Sequence, residues 1–380
     1  MPLRILLAIA LTTLATPALA APEESWQALL ERTVAETRAR NALPAVAALV
    51  QIDGRIVAET AQGLRAAGYP EGVTLDDRWH IGSDTKAMTA TMIARLVERG
   101  LLGFDETMGE AFPDWAATMA PELRKVTIAQ LLSHTAGLLP VTEDKDLDAV
   151  LAIAGTGADL RAQRARVARA YLSRPPASAV GAFAYSNLGY VIAGAIAEAR
   201  TGKSWEELVA TEVFEPLGMM HSGFGNPALP HAHDQPWGHE EVPGGKLVAL
   251  DPATPGSDNP GLIGPAGLVS LPLHDWLLFA QDQLDGVHGR GKLLKPATYA
   301  RLHSAVVPPY SLGWGVKTGA DGKPELLTHS GSNGHWLADI RIMPRRNAIT
   351  LLVINAGNEA ANKAIVEIGR PLRDRLHPFD

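Results

Sequence analysis

Strand-like sequence lies at the two ends of this chain, and the residues between read as helix. Near the N-terminus, Val46–Ile52 and Arg55–Thr60 are apolar runs separated by Asp53-Gly54, a strong two-residue hairpin signal. Near the C-terminus, Leu337–Met343 and Ala348–Ile354 flank a Pro344-Arg345-Arg346-Asn347 turn. Helical patterns bracket both hairpins. Ser25–Arg38 sets Trp26, Leu29, Leu30, Val34 and Thr37 near one face, and Asn358–Leu376 closes the chain. The simplest assembly is one antiparallel sheet built from both chain ends, covered by the end helices, with a mainly helical domain inserted between. The expected class is α/β in the α+β sense.

The centre carries the helical periods Thr85–Arg99, Leu160–Ser173, Leu188–Thr201 and Trp205–Val213, separated by Gly and Pro clusters. The pattern divides the chain into a sheet domain (residues 21–82 and 300–380) and a helical domain (83–299), with a site expected in the crevice between them. Residues 225–265 form a long irregular stretch, a feature more often functional than structural filler. No internal repeat or low-complexity tract is visible.

Residues 1–20 read as a leader rather than as part of the fold. Arg4 is followed by the apolar run Ile5–Leu14 and by Ala18-Leu19-Ala20, the order of a cleavable export signal. The run is too short to span a bilayer, which takes about 20 apolar residues. The expectation is a bacterial protein exported to the periplasm or secreted, soluble, with no membrane anchor after cleavage. There is no cysteine, which excludes disulfides, thiol nucleophiles and thiolate metal sites. The net charge of −7 provides no basic field for nucleic acid.

Three short strings could carry chemistry. Ser83-Asp84-Thr85-Lys86 follows Gly82 at a helix start. Spacing i, i+3 there puts a hydroxyl and an amine on one face. A serine needs a base to become nucleophilic, and a lysine serves if burial lowers its pKa. Backbone N–H groups at a helix start also suit a developing oxyanion. An N-capping serine beside a surface lysine would look the same. Tyr185-Ser186-Asn187 enters another helix. A phenol can shuttle protons and an asparagine can hold a substrate amide, but a packed Tyr with a capping Asn is the plainer alternative. His329-Ser330-Gly331 is followed by Ser332, Asn333 and Gly334 before an apolar strand. Such a bare strand edge admits a substrate backbone, and a histidine can relay protons near neutral pH. A solvated turn histidine is the competing reading.

Taken in order, Ser83-x-x-Lys86, Tyr185-x-Asn187 and His329-x-Gly331 resemble the three motifs of class C β-lactamases, DD-peptidases and related esterases. The likeness extends to Ile81-Gly82-Ser83, Ser133-His134-Thr135-Ala136-Gly137-Leu138, Pro216-Leu217-Gly218-Met219, Ala266-Gly267-Leu268 and Leu312-Gly313-Trp314-Gly315, and runs from about residue 25 to the C-terminus. It implies a β-lactamase/transpeptidase-like fold. It also implies that Ser83 is acylated, that Lys86 assists its deprotonation, and that Tyr185 acts as general base and then protonates the leaving group. Asn187 would hold the acyl-side amide. His329 would lie on the sheet-edge strand facing Tyr185, and Gly331 and Ser332 would border the substrate. The N–H groups of Ser83 and Ser332 would form the oxyanion hole. Which of Lys86 and Tyr185 takes the first proton stays open.

No metal or organic cofactor is implied, and the spacing of His231, His233, Asp234 and His239 suits no ligand set. One departure matters. Class C β-lactamases carry Lys-Thr-Gly at the third motif, where this chain has His329-Ser330-Gly331. The Lys317-Thr318-Gly319 string runs into a turn and reads as a decoy. The expectation is a serine hydrolase of esters or D-amino-acid amides, acting on a small molecule or short peptide. A β-lactamase, and a non-catalytic binder that kept the fold, stand as alternatives. His134 is expected behind the site. Trp237, Trp314 and Trp336 read as core, rim or pocket residues.

Overall fold

A computed structural model of the protein describes residues 24–157 and 159–376; the leader read at residues 1–20 lies outside them. Both end hairpins join one six-stranded antiparallel sheet. Its order is 55–63, 45–52, 348–354, 337–343, 324–332, 315–318, so the two chain ends pair at its centre, Val46 opposite Ile354 and Ile52 opposite Ala348. Asp53 and Gly54 both adopt positive φ, 51° and 75°. That conformation matches the twist of a two-residue hairpin. Asn347, at φ 47°, closes the second hairpin.

Strand Ala45–Ile52 shows no polar alternation because both its faces are covered. Ala45, Ala47 and Leu49 point into the main core, together with Ile340, Leu351 and Val353. Val46, Ala48 and Val50 point the other way, into a second cluster with Leu30, Val34, Ile365 and Ile368. The terminal helices Trp26–Arg40 and Glu359–Leu376 supply that second layer. Ser25 caps the first of them, accepting the Ala28 N–H at 3.1 Å. Each fully buried aliphatic side chain adds about 1.5–3 kcal/mol, so the layer holds the ends of the chain firmly together.

On the main-core side, helix Leu273–Val287 lies under the sheet, and one continuous core passes from it into the helical part. At its centre is helix Thr85–Glu98, buried on almost every side. The sequence suggests an amphipathic helix with Met88, Met92, Leu96 and Val97 on one side. Instead Ala87, Ala90, Ile93 and Ala94 are buried too. Its alanines admit close neighbours. Two of its threonines find acceptors, Thr89 donating to the Pro265 carbonyl of another segment and Thr91 to that of Ala87 one turn back, both at 2.8 Å.

Helix Trp205–Val209 continues as a π-turn through Ala210–Phe214. Within 225–265 a small hairpin forms, His239–Val242 against Lys246–Ala249. The tryptophans at 237, 314 and 336 are core residues. Among the described residues no helix is long and apolar enough to cross a membrane.

Candidate active site

Ser83 sits on the 3-10 turn Gly82–Asp84, between strand Trp79–His80 and helix Thr85–Glu98. Two glycines press this turn against the end of strand Pro324–Ser332. A Cβ on Gly82, which has φ +50°, would overlap the Ser332 N–H. A Cβ on Gly331 would overlap the Ile81 carbonyl and come within 2.6 Å of Ser83 N. The backbone N–H groups of Ser83 and Ser332 are therefore neighbours. The outermost strand, Gly315–Thr318, pairs no further along than Thr328, which leaves the His329–Ser332 edge open to the turn.

Lys86 is fully buried, one helical turn after Ser83. Its Nζ lies 2.9 Å from Ser83 Oγ, 2.8 Å from Asn187 Oδ1 and 2.7 Å from the Ala266 carbonyl oxygen. Among the described residues no carboxylate forms an ion pair with it. Burial drives its pKa well below the ordinary lysine value, against the opposing pull of Asp84. A neutral amine has two N–H groups and one lone pair. The amide and carbonyl oxygens can only accept, so they take the two N–H groups and leave the lone pair for the Ser83 hydroxyl. Asp84 is buried with neither carboxyl oxygen hydrogen-bonded. Burial and the nearby Asp339 push its pKa well up.

Tyr185 Oη reaches Ser83 Oγ at 2.9 Å. Burial pushes its phenol up, outweighing the hydrogen bond to Ser83, and it stays protonated. The loop after helix Ile128–Leu132 clamps this second motif. His134 Nδ1 accepts the Ser186 N–H at 3.0 Å, Pro140 accepts the Asn187 N–H at 2.8 Å, and Val141 accepts from Asn187 Nδ2 at 2.9 Å. That last bond turns Asn187 Oδ1 toward Lys86. The His134 ring packs 4.3 Å from that of Tyr185. Burial holds His134 neutral, with its pKa lowered to about 2.

His329 is placed differently. Its Nδ1 must donate to the Ser330 carbonyl at 3.0 Å, so Nε2 accepts from the Tyr310 hydroxyl at 3.0 Å. It makes no hydrogen bond to Ser83, Lys86 or Tyr185. Burial, with Lys86 nearby, lowers its pKa to about 3, so near neutral pH the ring is uncharged and its one proton is held on Nδ1 by the Ser330 carbonyl. Tyr310 stands between it and the His134–Tyr185 stack, a position no motif marked.

A cleft of about 310 Å³ opens over Ser83, Tyr185 and Asn187. Val141, Leu147 and Ile263 form its apolar wall; Asn259, Ser332 and Asn333 form its polar one; Glu143 and Asp144 stand at its edge. Lys317 of the Lys-Thr-Gly string lies outside it, exposed and paired with Glu325 at 3.2 Å. The histidines of 225–265 are dispersed: His231 pairs with Asp251, His233 stacks on Tyr69 and Trp237, and His239 donates to the Asn355 carbonyl.

A family model described as Beta-lactamase matches residues 30–368. Penicillin-binding protein 4 of Amycolatopsis lactamdurans is 30% identical over 340 residues, covering 84% of this chain and 83% of that protein. Among solved structures, D-amino acid amidase from Ochrobactrum anthropi SV3 superposes with TM-score 0.71 at 19% identity over 91% of this chain and 98% of that one. The class C β-lactamase from Rhodobacter sphaeroides does so with TM-score 0.69 at 18% identity over 91% and 99%. With motifs, sheet order and these matches in agreement, the chain belongs to the β-lactamase family of serine hydrolases.

Proposed function

We propose that the protein is a serine hydrolase that forms an acyl-enzyme on Ser83 and cleaves esters or D-amino-acid amides. The observation that carries this reading is the buried Lys86 Nζ, held 2.9 Å from Ser83 Oγ between Asn187 Oδ1 and the Ala266 carbonyl. A neutral amine donating to those two oxygens has its lone pair left for the Ser83 hydroxyl. In this reading neutral Lys86 takes the Ser83 proton as Oγ bonds to the substrate carbonyl carbon. The resulting oxyanion accepts from the Ser83 and Ser332 N–H groups. As the tetrahedral adduct collapses, the bond to the leaving amine or alcohol breaks, and Tyr185 Oη gives that group its proton. The proton held on Lys86 restores the phenol, and water then releases the acid by the reverse path. Tyr185 is favoured as the acid and Lys86 as the first base because burial moves their pKa values in opposite senses. Asn187 contributes by orienting Lys86.

Among the described residues the cleft lining includes Glu143 and Asp144 and no arginine or lysine. Glu143 is paired with Lys145 at 2.6 Å and exposed, so its field is partly screened. What remains favours neutral or cationic acyl groups over those with a carboxylate near the scissile bond. The name of the Amycolatopsis relative makes penicillins, and that of the Ochrobactrum neighbour D-amino-acid amides, the first substrates to try. The leader reading adds export to the proposal, and N-terminal sequencing of the secreted or periplasmic protein checks it.

Benzylpenicillin separates the substrate classes. A persistent adduct on wild type, absent in Ser83→Ala, indicates peptidase-like recognition. Hydrolysed penicillin without an adduct indicates a β-lactamase, the reading that the missing third-motif lysine disfavours. Intact penicillin without an adduct directs the search to short acyl esters and amino-acid amides. Hydrolysis of none of these, with no labelling of Ser83 by a fluorophosphonate, refutes the proposal in favour of a non-catalytic binder.

A further inference from the structure

His80 lies two residues before the Gly82–Asp84 turn and is fully buried. Its Nδ1 accepts the Gly82 N–H at 3.1 Å. A ring nitrogen that accepts carries no proton, so in the neutral ring the proton is on Nε2. Nε2 lies 3.0 Å from Asp258 Oδ1, a close polar contact that is off the line of a well-aligned hydrogen bond. The same oxygen accepts from Asn333 Nδ2 at 3.0 Å and from the Asn259 N–H at 2.7 Å. Asn333 follows Ser332 directly, and its Oδ1 accepts the His335 N–H at 3.1 Å. One carboxylate from the irregular 225–265 stretch thus reaches both segments that bear the neighbouring N–H groups of Ser83 and Ser332. Gly82 is at φ +50°, a conformation glycine adopts as readily as others, so the turn is fixed by what its neighbours hold rather than by its own backbone preference.

We propose that Asp258 and His80 are a positioning pair for the oxyanion hole, His80 holding the Gly82–Ser83 turn and Asp258 tying that turn to the Ser332–Asn333 segment. Neither residue touches the reacting atoms. This role rests on the reading of Ser83 as nucleophile, and it gives the 225–265 stretch a purpose beyond walling the cleft. Losing the pair lets the two N–H groups drift apart. Donors to the developing oxyanion act mainly in the transition state, so the bond-forming step slows while reversible binding holds.

The test is the rate of labelling by an alkyl fluorophosphonate, resolved into a binding constant and a maximal rate. The variants are His80→Leu, His80→Asn, Asp258→Asn and the double His80→Leu/Asp258→Asn, with Ser83→Ala as control and melting temperatures in parallel. His80→Leu and Asp258→Asn are each expected to lower the maximal rate about tenfold or more, with the binding constant within about twofold. His80→Asn, whose amide oxygen can still accept the Gly82 N–H, should recover much of the rate. The double variant should be no slower than the slower single, since both break one unit. Wild-type rates in both singles, no recovery in His80→Asn, or losses that multiply would overturn the proposal. If the His80 variants do not fold, Asn333→Ala at the cleft wall serves: the proposal requires a slower maximal rate there, and an unchanged one contradicts it. An unlabelled wild type would instead refute the nucleophile assignment itself, which keeps the two failures apart.

Discussion

Lys86 Nζ lies 2.9 Å from Ser83 Oγ with no carboxylate among the described residues paired to it, and this relationship sets the pH behaviour. Only the neutral amine has a lone pair for the serine proton, so acylation should fall as pH drops through the lowered lysine pKa. His329 stays neutral down to about pH 3 and should not shape that limb. The log of the acylation rate plotted against pH should show the same acid limb in wild type and His329→Asn, whatever the change in height. A limb that moves or vanishes in the variant would assign the titration to His329.

Tyr185 is read as the acid that protonates the leaving group. Tyr185→Phe should lower turnover by about 10²-fold or more and leave KM within a few-fold. The loss should be smaller for substrates whose leaving group needs no proton, such as nitrophenyl esters. Comparing an amide with a nitrophenyl ester checks this, and equal losses on both would remove the role.

Gly331 admits no side chain. A methyl there meets the Ile81 carbonyl and the Ser83 N–H, both backbone and unable to swing aside. Gly331→Ala should separate the turn from the strand, lowering activity about 10²-fold or more and stability by about 1–3 kcal/mol. Activity assays and denaturant titration read the two effects. Near-wild-type activity would show that the contact is not needed.

Arg164 is fully buried, and its guanidinium meets Glu198 at 2.5 Å, Glu206 at 2.6 Å and the Gly261 and Leu262 carbonyls. It pins the segment that leads into Gly264–Gly267 and so to the Ala266 carbonyl that holds Lys86. Arg164→Ala leaves the buried Glu198 and the half-buried Glu206 without their guanidinium and should cost about 3–5 kcal/mol. Urea unfolding at constant m-value measures it; a loss under about 1 kcal/mol would show that water replaces the guanidinium.

The legible parts of this fold are those with local causes. Asp53-Gly54 and the apolar runs around it define a hairpin because two-residue turns demand that chemistry. Ser83 and Lys86 stand out because i, i+3 spacing at a helix start is geometric. What escaped the sequence is what other segments supply. The Ala266 carbonyl has no side-chain signature, and nothing near His80 announces Asp258. The Thr85–Glu98 helix looked one-sided because its threonines count as polar until Pro265 is seen to satisfy Thr89. His329 read as a relay because its residue type titrates near neutrality. Its burial and the Tyr310 hydroxyl, nineteen residues away, are tertiary facts.

The account depends most on Ser83 as the atom that becomes acylated. Intact-mass analysis of wild type and Ser83→Ala after exposure to a fluorophosphonate, followed by peptide mapping, tests it directly. A single adduct on the peptide containing Ser83, absent in Ser83→Ala, is the predicted result. An adduct that persists in Ser83→Ala, or maps to another residue, would contradict it.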